Sequence, residues 1–549
     1  MSTAWYHKTT IYQIYPRSFY DSNGDGIGDL QGIIQKLDYI KDLGFETIWI
    51  SPFFASPQAD FGYDISNYTD IAPEYGKMAD ALQLIEEVHK RGMKILLDMV
   101  MNHTSIEHPW FKESRSSRDN PKADWYIWKD PSPHFGGSWR GVPNNWQSVT
   151  AWRGWYYAKE RGQYFWSTFL PFQPDLNYRN PEVKEAMFEV VRFWLDRGVD
   201  GFRLDVFLAI FKDAEFRDNP FSFKLLPSDE DLSGFFRQAK YTLNRPETFA
   251  FARELRNVSG KFGEKLLLGE VAGSRATIRK FLGDKENDGL THVFDFGILN
   301  FKFTAGYFRE VIRDIEMYFP DPFMPVYAFS NHDKHRTMHR LGNDVRKAKL
   351  LHMLQLTVRG LPCMYNGEEI GMTDLKQPIR TALDLIPHKF EFLPRFIFDF
   401  LGLTMNRDEV RTPMQWDGAK NAGFSSAEKT WLPVHENYVE VNVEKESEES
   451  DSLLNTIRAL LKVRRAEMPL QEGSLELIDD LPEGILGYMR KSGDEIIAVL
   501  MNFDEQEKEF QFEGSNPIFK LSRGDEIKGN AIQLDGFGGM ILKLSQGRE

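Results

Sequence analysis

The sequence predicts an α/β protein built on a (β/α)8 barrel of the TIM type, with a subdomain inserted after the third strand and an antiparallel β domain at the C-terminus. Two observations lead there. Short β-rich apolar runs alternate with stretches of helical period, the order that favours parallel pairing. The runs number eight, the count that closes such a barrel.

The runs are Ile11–Tyr15, Thr47–Ser51, Lys94–Val100, Gly201–Val206, Leu266–Glu270, His292–Phe296, Pro325–Ser330 and Leu361–Tyr365. Helical patterns such as Ala79–Arg91 and Val183–Arg197 separate them. In the latter, Val183, Met187, Val191, Trp194 and Leu195 share one stripe. Two gaps exceed plain connections. Thr104–Pro174 is rich in Trp, Tyr, Pro and Gly, and Gly371–Ser426 elaborates the segment after the eighth run. The barrel therefore takes residues 1–104 and 175–470, and the inserted subdomain 105–174. The acidic stretch Glu444–Asp451 reads as a solvated linker, and Ser452–Arg465 as the last helix. Beyond it, Ile485–Met489, Ile496–Met501 and Gly539–Leu544 are short runs divided by turn residues, predicting a β-sandwich over 471–549.

The composition narrows the function. A net charge of −14 with no dense Lys/Arg run argues against a nucleic-acid partner. No stretch approaches the roughly 18 apolar residues that span a bilayer, and Met1–Tyr20 lacks a basic and apolar leader, so a cytoplasmic protein without membrane partner is expected. The single cysteine, Cys363, lies in an apolar run and reads as a small buried hydrophobe. Nothing in the chain sets an oligomeric state.

Chemistry in a barrel of this kind gathers at the C-terminal strand ends. There the sequence places Asp98 with Asn102 and His103, then Gly201-Phe202-Arg203-Leu204-Asp205, Gly269-Glu270 and Asn331-His332-Asp333. Each alone could be a structural ion pair. Asp205, Glu270 and Asp333 converging at one mouth would repel, an arrangement that suits acid–base work because it separates their proton affinities. Arg203 shares a strand face with Asp205 and is expected to hold it anionic.

These segments resemble the signature regions of the α-amylase family of glycoside hydrolases, in particular its oligo-1,6-glucosidase and α-glucosidase branch. Asp98–His103, Gly201–Asp205, Gly269-Glu270 and Asn331–Asp333 match its four regions. Gln173-Pro174-Asp175-Leu176-Asn177, Pro143–Trp146, Asp60-Phe61-Gly62-Tyr63-Asp64 and Arg411–Asp417 are similar to further motifs of the branch. The likeness spans Ile11 to Asp417. It implies Asp205 as nucleophile, Glu270 as general acid/base and Asp333 as stabiliser of the distorted sugar, with Tyr63, His103, Arg203 and His332 around the glucose. A retaining mechanism needs the first two carboxyls about 5–5.5 Å apart.

The same likeness implies that Asp60 and Arg407 close the far side of the glucose site, making an exo-acting pocket for the end of a small oligosaccharide. A surface ion pair is the alternative. Val206, directly after the nucleophile, goes with α-1,6 linkages in the branch, with α-1,4 or sucrose activity left open. The chain departs from the pattern at Phe207 and at Lys334-His335-Arg336, both expected on the leaving-group side. A phosphorylated sugar such as trehalose 6-phosphate, or a glucosyl-transferring or isomerising reaction, remains open there, as does a solvated basic loop. A non-catalytic binding protein fits an intact carboxylate set poorly.

Asp21-Ser22-Asn23-Gly24-Asp25-Gly26-Ile27-Gly28-Asp29 places oxygen ligands at alternate positions without the closing Glu of an EF-hand. The resemblance implies a structural calcium held by Asp21, Asn23, Asp25 and Asp29 and by the Ile27 carbonyl. A metal-free Gly/Asp turn is the alternative.

Overall fold

The computed structural model describes residues 4–132, 141–150, 152–225, 227–228, 231–284, 286–388, 404, 406–512 and 516–544. Eight parallel strands close into a barrel: β1 (Ile11–Ile14), β2 (Thr47–Ile50), β3 (Lys94–Val100), β4 (Gly201–Asp205), β5 (Leu266–Gly269), β6 (His292–Phe294), β7 (Pro325–Tyr327) and β8 (Leu361–Tyr365). Closure is made by β1 pairing with β8, Ile11 opposite Cys363, while β3 pairs with β4 from Leu96–Gly201 to Val100–Asp205. Most strands end one to three residues before the expected limits.

Alternation along the strands divides the core in two. Ile11, Trp49, Leu96, Leu266, Leu268, Phe294, Val326, Leu361 and Cys363 meet inside the barrel. Their neighbours Ile48, Ile50, Ile95, Leu97, Phe202, Leu204 and Leu267 face the helices. Helix Met78–Lys90 supplies Ala81, Leu84, Ile85 and Val88, and helix Pro181–Leu195 supplies Val183, Met187, Val191 and Trp194. Asn180 caps the second of these through the Glu182 N–H, with Pro181 set for the first turn. Burial pushes the Cys363 thiol far up, so it stays protonated in the barrel floor.

The insertion forms a three-stranded antiparallel sheet of Trp128–Lys129, Gln163–Trp166 and Trp155–Ala158 beside helix Pro109–Ser116. Its residues 133–140 and 151 lie outside the described residues, as do 389–403 and 405 of the elaborated segment after β8. A third long connection, 206–245, was not anticipated. It follows β4 and packs Phe216 against Trp146 of the insertion at 5.3 Å between ring centroids.

The acidic stretch is not a plain linker. Asn442 caps a helix over Val443–Glu448 by accepting the Lys445 N–H, and Asp451 pairs with Lys349 at 2.7 Å. Local capping outweighs the charge repulsion that suggested a solvated linker. Helix Leu453–Ala466 follows. The C-terminal strands form one five-stranded and one three-stranded antiparallel sheet. Ile485, Ala498, Leu500, Phe510, Ile532, Leu534, Met540 and Leu542 pack between them. Among the described residues no helix is long and apolar enough to cross a membrane.

Candidate active site

Strand parity builds the site. One step of two residues beyond apolar Leu96 and Leu268 brings Asp98 and Glu270 inward at the C-terminal rim, and β4 supplies Arg203 and Asp205 on the same side. Arg203 is buried and spans all three carboxylates. Its Nη1 donates to Asp98 Oδ1 at 2.8 Å and to Asp205 Oδ1 at 2.7 Å, and its Nη2 to Glu270 Oε2 at 2.6 Å. The guanidinium lies 5.1 Å from the Trp49 ring centroid.

Arg203 was expected to hold Asp205 anionic. Divided among three acids, it does not keep Asp205 low. Burial pushes Asp205 well above the usual carboxylate range, with Arg203 opposing and Glu270 and Asp98 adding repulsion. Burial likewise raises Asp98 to about 6 against the pull of Arg203. Asp98 and Asp205, two buried acids on one cation, titrate together rather than singly.

Asp333 is the opposite case. Burial would raise it, but Arg411 at 2.5 Å and Arg407 at 3.4 Å hold it far below the usual range, so it stays ionised. Beside it runs a polar chain with defined proton positions. Gln13 Nε2 donates to His332 Nδ1 at 2.8 Å, which leaves the proton on Nε2. That N–H faces Tyr63 Oη at 2.6 Å and Asp333 Oδ2 at 3.2 Å, and the tyrosine donates to Asp98 Oδ2 at 3.2 Å. Burial lowers His332 to about 3, so the imidazole is neutral. It stacks on Tyr63 with 5.5 Å between centroids.

These groups surround a cavity of about 160 Å³ lined by Asp60, Tyr63, His103, Asp205, Val206, Glu270, Asp333 and Arg407, with Phe169, Leu170 and Ile386 as apolar wall. Arg203 and His332, expected against the sugar, stand behind that lining. His103 lines it with both nitrogens engaged, Nε2 donating to the Tyr63 carbonyl at 3.1 Å and Nδ1 facing Asn102 Nδ2 at 3.2 Å. Burial lowers it to about 4. Lys212 anchors this segment from below, bonding Asn102 Oδ1 at 2.6 Å and pairing with Asp175.

The outer wall is Arg407 donating to Asp60 Oδ1 at 2.8 Å. Asp60 is presented by a loop pinned on Asp64, which accepts from Ser56 Oγ and the Ala59 and Asp60 amides. Phe61 and Gly62 are both left-handed there, with φ of 47° and 102°. Gln173 Nε2 adds a bond to Asp60 Oδ2 at 2.9 Å. Arg407 is itself fixed by Asp384, through Nε at 2.9 Å and Nη2 at 2.8 Å. Sequence reasoning missed Asp384, an isolated acid in an aperiodic segment, and passed over Lys212, whose signal was a lysine directly ending the apolar run Val206–Phe211.

Val206 is left-handed, with φ 38° and ψ 42°. For a β-branched residue this costs about 1–3 kcal/mol. Its N–H donates to Glu270 Oε2 at 3.0 Å. Phe207 does not face the leaving-group side. The same turn sends it into the helix layer, fully buried and stacked on Phe251 at 5.8 Å. Lys334 lines a cavity adjoining the first, with Val206, Glu270, Asp333 and Phe296.

The Asp21–Asp29 loop lies apart, tied to the segment after β8 by Ser425 Oγ on Asp21 Oδ2 at 2.5 Å and by the Trp431 amide on the Gly26 carbonyl. Asp21 also accepts from the Asn23, Gly24 and Gly26 amides, and Asp29 from Ser22 and the Gly32 amide. Asn23 and Asp25 accept the Asp25 and Ile27 amides. The donor set is all oxygen, the chemistry calcium requires.

Comparison with known proteins agrees with this geometry. Residues 13–473 match the model of the alpha amylase catalytic domain. A probable alpha-glucosidase of Rhizobium meliloti is 38% identical over 98% of this chain and 97% of its own. An oligo-1,6-glucosidase of Parageobacillus thermoglucosidasius is 38% identical over 95% of this chain and 92% of its own. The crystal structure of an alpha-glucosyl transfer enzyme, XgtA, superposes with a TM-score of 0.89 at 36% identity, covering 99% of this chain and 100% of that one.

Proposed function

The chain belongs to the alpha-amylase family and is a glycoside hydrolase, and from that premise we propose that it is an exo-acting retaining α-glucosidase that removes terminal glucose from short α-glucosides, with a preference for α-1,6 linkages. The observation that carries this is the pocket itself. Asp205, Glu270 and Asp333 line a cavity whose outer wall is the Arg407–Asp60 pair, so a chain end enters and a chain interior does not.

Asp205 attacks the anomeric carbon and the glycosidic C–O bond breaks, while Glu270 gives its proton to the leaving oxygen. Two donors, Arg203 Nη2 and the Val206 N–H, hold Glu270 Oε2 and assign proton transfer to Oε1. Glu270 then takes a proton from water, whose oxygen attacks the same carbon and frees Asp205. Asp333 stays anionic beside the ring and stabilises the positive charge that builds there. Asp21, Asn23, Asp25 and Asp29 with the Ile27 carbonyl would hold a structural calcium, which would supply stability and no step of the chemistry.

Product analysis decides the matter. Isomaltose, maltose, sucrose and trehalose 6-phosphate are compared as substrates, and proton NMR follows the first minutes. Isomaltose as a leading substrate with α-glucose released first is expected. Initial β-glucose overturns the mechanism, and rearranged disaccharides in place of glucose favour the transferring reaction named in the XgtA structure.

A further inference from the structure

We propose that His335, His339 and Asp374 form a binding site for a divalent transition-metal cation of the zinc type, distinct from the oxygen-rich loop at Asp21. The two histidines lie on the segment that follows β7, His335 just before and His339 within the short helix Thr337–Arg340. Their rings lie 5.5 Å apart and 27° from parallel. Asp374 comes from the segment after β8. Its Oδ2 is 2.5 Å from His335 Nδ1 and 3.9 Å from His339 Nε2. One donor atom from each residue falls within 4.8 Å of the others, and among the described residues no other group of three His, Cys, Asp or Glu is so gathered.

The donor set selects the cation. Two imidazole nitrogens and one carboxylate oxygen suit zinc, cobalt or nickel, whereas calcium and magnesium require oxygen. The Arg336 amide donates to Asp374 Oδ1 at 2.8 Å, fixing the carboxylate and turning Oδ2 to the metal. Exposure rises from 1% at Asp374 through 13% at His335 to 36% at His339, so the cation has an entry path and an open coordination position. On binding, the proton between His335 and Asp374 leaves to solvent and Nδ1 becomes a ligand.

The placement gives the site a consequence. His335 is two residues from Asp333, and Asp374 precedes the stretch bearing Arg407 and Arg411, which both pair with Asp333. A bound cation therefore clamps together the two segments that hold this anion.

The test uses untagged protein stripped with chelator and then titrated with zinc chloride by calorimetry in excess calcium. One zinc per chain and a higher melting temperature are expected. His339→Ala and His335→Ala, checked for folding by circular dichroism, should each weaken zinc binding about tenfold or more and abolish the thermal shift. Absence of zinc uptake by the parent at about 0.1 mM, where even a weak site fills, overturns the site. So does unchanged affinity in a folded His339→Ala protein.

Discussion

The Val206 amide donates to Glu270 Oε2 at 3.0 Å from the residue at which the backbone turns left-handed after β4. The residue after Asp205 thus positions Glu270 through its main chain and borders the cavity through its side chain. Val206→Ala and Val206→Thr retain the amide and alter only the border. Each should shift the ratio of specificity constants from isomaltose towards maltose by about tenfold. An unchanged ratio in both variants would show that linkage choice is made elsewhere, with Lys334 in the adjoining cavity as the next residue to test.

Asp205→Asn and Glu270→Gln should each lower turnover of an α-glucoside by at least about a thousandfold. Both substitutions keep shape and a hydrogen bond to Arg203, so circular dichroism should be unchanged. Near-parental turnover in folded Asp205→Asn protein would refute its role as nucleophile.

The acid limb of the pH profile should move when Asp98 is neutralised. Asp98 repels the Asp205 charge and competes for Arg203, and both effects raise Asp205. Asp98→Asn removes both, so Asp205 ionises at lower pH and the acid limb of kcat/KM shifts down. The shift is the readout, whatever the loss in absolute rate. His332, neutral above about pH 3, contributes nothing to that limb. An acid limb that stays in place or moves up contradicts the shared-proton description.

Removing calcium with EGTA should lower the melting temperature more than it lowers turnover, because a ligand bound to the native state alone stabilises by mass action. No residue of the loop lines the cavity, and restoring calcium should restore the melting temperature. If EGTA has no effect and Asp21→Ala is silent, the loop is a metal-free turn closed by its own amides.

Much of the site was legible before folding. Asp98, Arg203, Asp205 and Glu270 stand at strand ends because period-2 alternation puts every second residue inside the barrel, and inward positions at the C-terminal rim are the polar ones. The Asp60–Arg407 wall was legible only by resemblance, since 347 residues separate the partners. Asp384 left no trace, because a single acid in an aperiodic segment has no pattern to reveal it.

The sequence by itself determined the barrel, its insertion and the set of acids at its mouth, because hydrophobic period and residue order are local properties. Only the tertiary structure decided how those acids share charge. Arg203 serves three carboxylates because three separate strands bring them within its reach, and burial raises Asp205 and Asp98 against its pull. The tertiary structure also decided the backbone of Val206, whose own preference is against φ 38°. It joined His335 and His339 to Asp374 across two loops. Charge balance, imposed backbone strain and contacts between distant segments are sums over the whole fold, and no local stretch of sequence contains them.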